Sequence, residues 1–451
     1  MDETVRRAVA RYHDLLSEAV ARESSEWLAD RLARRGLVFG GRPLCTVVRP
    51  RFLSAAQHAL FTGRVALLLR AFATAHRAAL ADPAFRAQFG LAEWEEELVR
   101  EEDGLPTASP VGRFDTFVQP GGGFQVTEYN AETPAGAGYV DVLAELFLAL
   151  PAMRAFAREW RLRPLPARPG VANALLDTYM AWRGRREVPT IGILDWREVP
   201  TYSEFLVFAD YFHSLGIPCV VADPRECEFD GGRLVARGVP VDLVYKRVLV
   251  QELVTRGGMD HPVVRAVRRR AVLMLNPFRC KILHKKASLA VLTDERNAHL
   301  FGAAEREAIA AHVPWTRRVE DRWTEHRGRR VDLVPYLLAH RERFVLKPND
   351  DYGGAGIVLG WEVDAGAWEQ GVALALASPY VAQERMALPT EPYPAIREGA
   401  LALDDRIVDT SPYCCHGAYM EGCLTRISTA SLVNVTAGGG STVPTFVVEE
   451  R

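Results

Sequence analysis

Apolar residues recur every third or fourth position in AVARYHDLLSEAV and again in AAQHALFTGRVALLLRAFATAHRAAL, which predicts helices through residues 1–100. The acidic stretch EWEEELVREEDG closes that region and runs into a loop at Gly104 and Pro106. The period then changes. GRFDTFV and GFQVTEYN alternate polar and apolar residues on either side of QPGGG, a hairpin signal over 111–130. A helix is expected from about Gly138 to Glu159. From 188 to 250 the segments read as buried strand (PTIGILDW), amphipathic helix ending at a glycine (EFLVFADYFHSLG), second strand (IPCVVADP) and third strand (VDLVYKR), the signature of an open parallel sheet. Residues 275–451 mix a helix (KKASLAVLTDE), a strand and loop (RFVLKPNDDYGGAGIVLG), a strand (YVAQERM) and a final pair of strands around a glycine-rich loop in SLVNVTAGGGSTVPTFVVEE. The expected class is α/β (α+β), and no internal repeat is visible.

Composition narrows the function classes. A chain of 451 residues is long for one core, so about two or three substructures are expected. Hydrophobic content of 48% and charged content of 25% are those of a globular protein. A formal net charge of -2 gives no bulk attraction for a phosphate backbone, so no nucleic-acid partner is expected. No apolar run approaches the roughly 18–20 residues that cross a bilayer, and MDETVRRAVARYHDLL lacks the apolar segment of a signal peptide. The expectation is a cytoplasmic protein without a membrane partner. Seven cysteines, odd in number and without a CxxC pair, argue against a disulfide framework. Adjacent Cys414 and Cys415, with His416 and Cys423, cannot both aim easily at one tetrahedral metal, and are read as reduced structural thiols.

Chemistry concentrates in a few places. On the hairpin, Arg113 and Asp115 share one strand face, and Glu128 and Asn130 share a face of the returning strand. If the faces coincide, two carboxylates, an amide oxygen and a guanidinium converge. Oxygen-only ligands suit Mg²⁺, and an arginine beside that cation stabilises a phosphoryl group in transfer. The same spacing also suits a solvated hairpin with ordinary surface charges. In FVLKPNDDYGGAGIVLG an apolar run delivers Lys347, and Gly353, Gly354 and Gly356 let backbone N–H groups approach phosphate oxygens. It is neither a Walker A loop nor a GxGxxG fingerprint, and a glycine-rich turn fits equally well. Gln383 and Glu384 end a strand and have the polarity to meet adenine. Lys281, Lys285 and Lys286 precede a helix, which suits arriving phosphates or a solvated basic face. Arg426 and Gly438–Gly440 belong to a substrate loop or a plain hairpin turn.

Together these pieces resemble the ATP-grasp ligases, in particular the circularly permuted, glutathionylspermidine synthetase-like branch. The carriers are Arg113-Phe114-Asp115 and Glu128-Tyr129-Asn130-Ala131-Glu132-Thr133-Pro134, upstream of the Lys347-Pro348 loop and the Gln383-Glu384 hinge. The resemblance implies a circularly permuted ATP-grasp fold with an N-terminal helical region (1–105). It further implies a metal-binding hairpin and helix (106–187), a pre-ATP-grasp, Rossmann-like substrate domain (188–270) and a nucleotide-binding domain (271–451). It implies ATP and Mg²⁺ as cofactors. Asp115, Glu128, Asn130 and, on a shorter match, Asp351 would hold the metal. Arg113 would stabilise the transferring phosphoryl group. Lys281, Lys347, Gly353, Gly354, Gly356, Gln383, Glu384 and Met386 would bind the nucleotide. The implied reaction joins a small-molecule carboxylate to an amine through an acyl phosphate, with Arg247 and Arg426 as candidates for a substrate carboxylate. Loops 350–356 and 436–442 are the candidate lids. The amidase segment of the bifunctional glutathionylspermidine enzymes is absent, which leaves the two substrates unspecified.

Overall fold

The computed structural model describes residues 2–39, 41–101, 103–350, 355–430 and 440–451. The expected helices form at the N-terminus, over Glu3–Asp14, Glu18–Arg34 and Ala55–Ala81. Their starts are set by side-chain caps at Asp2, Ser17 and Ser54, the last in a reciprocal capping box with Gln57. Ala55–Ala81 buries Phe61, Val65, Leu68, Phe72, Ala75 and Ala79 along one stripe. That stripe lies against the hairpin: Phe61 stacks on Phe124 at 4.4 Å between ring centroids, and Phe72 packs on Tyr129 at 4.7 Å. Helix Ala55–Ala81 therefore backs the strands that carry the candidate ligands.

The hairpin, Val111–Val118 with Phe124–Asn130, joins a larger antiparallel sheet. Its neighbours in order are Ser411–Cys415, Tyr419–Ser428, Ala400–Val408 and Thr390–Arg397. These four strands were not read from the sequence. The turn between the outer two was legible, however: Glu398 and Gly399 both take positive φ in a two-residue connection between Arg397 and Ala400.

The parallel sheet expected over 188–250 is present and gains a fourth strand. Its order is Leu273–Leu275, Leu243–Lys246, Ile191–Leu194, Cys219–Ala222, all parallel. Asn276, just beyond its edge strand, ties this sheet to the hairpin. Its side-chain amide donates to the carbonyls of Val111, Ala131 and Glu132 at 2.6, 2.8 and 2.9 Å. A separate antiparallel sheet carries Phe344–Pro348 between Tyr380–Glu384 and Val358–Leu359.

Two boundaries differ from expectation. The helix expected from Gly138 to Glu159 is two, Ala137–Ala149 and Pro151–Phe156, because Pro151 cannot donate into the preceding turn and instead starts a new helix. Near the C-terminus, Tyr419–Ser428 pairs with Ser441–Val443, and Pro444 then diverts the chain. Thr445–Glu450 runs parallel to Arg51–Ser54 and antiparallel to Trp160–Pro164. The expected second strand is thus split at Pro444, and the expected first strand, over SLVNVT, lies in 431–439, outside the described residues. Among the described residues no helix is long and apolar enough to cross a membrane.

Candidate active site

The hairpin register sets Arg113 opposite Asn130 and Asp115 opposite Glu128. Directly paired side chains stand roughly 5 Å apart on one face, so the four expected residues form one cluster. A bulge follows Asp115, and the Thr127 hydroxyl donates to the Asp115 carbonyl at 3.0 Å. On the opposite face Phe114 and Tyr129 are buried against helix Ala55–Ala81.

Arg113 grips Asp115 in a fork, Nε at 2.7 Å and Nη2 at 3.1 Å, while its Nη1 donates to the Ala135 carbonyl at 2.6 Å. From strand Tyr419–Ser428 of the same sheet, Arg426 adds Nη2 to Asp115 at 2.8 Å and Nε to Asp409 at 2.6 Å. Burial works against ionisation of Asp115, yet the two guanidinium groups outweigh it and hold the carboxyl well below the usual carboxylate range. Asp409 moves the other way: burial, aided by the nearby charge of Asp115, raises it in spite of Arg426.

Strand Phe344–Pro348 delivers Lys347 to the same place. Its ammonium donates to Gln383 Oε1 at 2.7 Å and to the Thr127 carbonyl at 3.3 Å. Burial pushes it down to about 8; Glu128 opposes that shift and Lys286 adds to it. Glu384 accepts from Arg327 at 2.7 Å. A cleft of about 820 Å³ is lined by Arg113, Asp115, Glu128, Asn130, Lys347 and Gln383, and also by Glu384, Met386, Arg247 and Arg426. Arg247 sits at the end of strand Leu243–Lys246, with Nη1 on the Pro134 carbonyl at 2.7 Å and Nη2 3.7 Å from Glu204.

Other expected residues lie elsewhere. Lys281 does not line the cleft. It is 2% exposed, and its ammonium is held by Asp350 at 2.6 and 2.8 Å, Glu132 at 3.3 Å and Glu95 at 3.4 Å. The short helix Cys280–His284 is buried at every position, which turns that lysine into the protein. Lys286 is the cation of the cluster that approaches the hairpin, with Nζ 3.6 Å from Glu128. Gly356 takes φ +69 where a Cβ would stand 2.7 Å from Pro348 Cγ and 2.9 Å from the Tyr380 hydroxyl, so glycine is required there to close the turn. Asp351, Gly353 and Gly354 lie outside the described residues, as do most of the two loops named as lids.

Magnesium fits the donor set. Two carboxylates and an amide oxygen are hard ligands. Of roughly four lone-pair positions on a carboxylate, Asp115 commits three to arginine N–H groups. Among the described residues Glu128 has one ion pair, to Lys286 at 3.6 Å, and also faces the charge of Lys347.

Residues 107–428 match the circularly permuted ATP-grasp type 2 family. The chain belongs to that family. ATP-grasp membership carries ATP binding with it, and the mixed α/β architecture with N-terminal helices agrees with a circularly permuted ATP-grasp fold. No curated protein matches the chain. Among solved structures it is similar to a glutathione synthetase-like effector from Globodera pallida in its apo form, at 14% identity and a TM-score of 0.61. That match covers 96% of this chain and 98% of that one. At this identity the likeness is one of fold. The sequence reading of this ATP-grasp chain passed over Asp409, which anchors Arg426 and has no local signature. It also passed over Asp195, whose place at the carboxyl end of a parallel strand was a usable signal.

Proposed function

We propose that this ATP-grasp protein is a Mg-ATP-dependent ligase that joins a small-molecule carboxylate to an amine, forming an amide and releasing ADP and phosphate. The observation that carries this reading is the meeting of Arg113, Asp115, Glu128 and Asn130 with Lys347 at one cleft. Asp115, Glu128 and Asn130 would hold magnesium. Bound there, it supplies charge neutralisation and Lewis acidity at the transferring phosphoryl group.

The chain's own groups do the rest. Arg113, its guanidinium fixed by Asp115 and Ala135, lines the cleft where it would meet phosphoryl oxygens. Lys347 adds a cation at the phosphates, and Lys286 stands next to it in charge. Gln383, Glu384 and Met386 offer polar and apolar contact for the base. The substrate carboxylate attacks the γ-phosphorus, and the amine then attacks the resulting acyl phosphate. Such a mechanism rests on positioning and electrostatics within a water-poor cleft.

The test is ADP and phosphate release with Mg-ATP across carboxylates and amines added singly and in pairs, beside Asp115→Ala and Glu128→Ala. Release that depends on both partners and vanishes in the variants is the expected result. A stable phosphorylated product with no amine requirement would replace the ligase by a phosphotransferase. Failure to bind Mg-ATP would remove the reading altogether.

A further inference from the structure

We propose that the carboxyl end of the parallel sheet is the subsite for the amine substrate, with Asp195 holding its ammonium group and taking one of its protons as the nitrogen attacks. This deepens the ligase reading and rests on it.

Asp195 follows directly on strand Ile191–Leu194, an inner strand of the sheet. Ligands of open parallel sheets dock beyond the carboxyl ends of the strands. Asp195 is 7% exposed and lines the same cleft as Asp115 and Lys347. Its Oδ1 accepts from the Trp196 amide at 2.8 Å, and its other oxygen has no hydrogen-bond partner among the described residues. That oxygen faces the cleft, where it can receive a cation or a proton.

The surrounding charges favour a cation. Arg247, after the adjacent strand, is engaged by Pro134 and Glu204. Lys246 is 1% exposed and bound to Glu132 at 3.1 Å. Glu252, at the start of helix Val250–Gly257, accepts from the Trp196 indole at 2.9 Å and faces the cleft. Asp195, Glu252 and Glu204 thus stand against Arg247 and Arg256, the latter 4.4 Å from the Trp196 ring, with Lys246 paired to Glu132. Val199, Pro200 and Leu249 also line the cleft and suit an aliphatic amine stem. Burial, with Glu252 adding to it, lifts Asp195 to about 7 against the pull of the Trp196 amide, Arg247 and Lys246. A base of that strength accepts a proton near neutral pH and gives it up again.

The step balances. The ammonium passes one proton to the Asp195 carboxylate, and the freed lone pair forms the C–N bond at the acyl carbon. The C–O bond to phosphate breaks with its electron pair on the phosphate oxygen, and the second nitrogen proton leaves with that phosphate.

The experiment is calorimetric binding of n-butylamine and 1,4-diaminobutane to the full chain with Mg-ATP bound, 1-butanol serving as the neutral control. Wild type binds the amines and not the alcohol, and more tightly as pH rises from 6 to 8, through the titration of Asp195. Asp195→Asn loses about tenfold or more in amine affinity and the pH dependence, while Mg-ATP affinity stays within about twofold and so reports an intact fold. Equal amine binding by wild type and variant, or none by wild type that binds Mg-ATP, overturns the proposal. Wild type that fails to bind Mg-ATP sinks the ligase reading first and this one with it.

Discussion

Arg426 donates to Asp115 at 2.8 Å, bridging strand Tyr419–Ser428 to the hairpin across the strand Ser411–Cys415 that lies between them. The same guanidinium closes on Asp409, which is 1% exposed. Removing Arg426 leaves Asp409 buried without its cation, and a broken buried pair costs about 3–5 kcal/mol. Arg426→Ala is expected to lower the thermal midpoint by several degrees, and Arg426→Lys to recover part of that loss. A midpoint unchanged in the alanine variant would show that the ion pairs of Arg426 with Asp115 and Asp409 add nothing to stability.

Lys281 and Lys286 are expected to behave oppositely. Lys281 neutralises Glu132, Asp350 and Glu95 inside the protein, so Lys281→Ala should cost stability, again about 3–5 kcal/mol by loss of a buried partner. Lys286 stands 3.6 Å from Glu128, which lines the cleft. Lys286→Ala should weaken Mg-ATP binding by about tenfold, or ~1.4 kcal/mol. Calorimetry and melting curves on the two variants separate the roles, and a reversal of the two phenotypes would restore Lys281 as the phosphate contact.

That pair also marks the limit of what the sequence could say. The hairpin was legible because alternation is local: GRFDTFV puts Arg113 with Asp115 and GFQVTEYN puts Glu128 with Asn130, while the register that brings the two pairs together came from the structure. The parallel sheet was legible from a different local signal, short continuous apolar runs on either side of an amphipathic helix. Choosing among Lys281, Lys285 and Lys286 needed the phase of a helix of five residues, too short to show a period. Pairings such as Tyr413 with Arg113, or Val447 with Leu53, join segments hundreds of residues apart, and distant pairing leaves no trace in either strand alone. Asp409 became visible only once Arg426 had a position.

The helix behind the hairpin gives a third expectation. Phe72 is 1% exposed and packs 5.6 Å from Phe114 and 4.7 Å from Tyr129. Phe72→Ala should cost about 3–5 kcal/mol as a core truncation. It should also weaken Mg-ATP binding, because the residues on either side of Phe114 and Tyr129 are the candidate ligands. Phe72→Leu should do less of both. Destabilisation with Mg-ATP affinity untouched would separate the helix from the site.

The fourth expectation concerns pH. Burial lowers Lys347 to about 8 although Glu128 opposes it, so its charge is complete below that point and is lost as pH rises through it. Triphosphate beside the ammonium favours the charged form and raises its pKa in the complex. Mg-ATP affinity should therefore be flat on the acid side of 8 and fall on the alkaline side, and binding near pH 8 should take up a fraction of a proton. Calorimetry in two buffers of different ionisation enthalpy measures that uptake directly. Lys347→Met should bind weakly at every pH and take up no proton at that step. If the variant keeps the wild-type uptake, the proton goes to another group, and Lys286, the neighbouring cation at Glu128, becomes the one to substitute next.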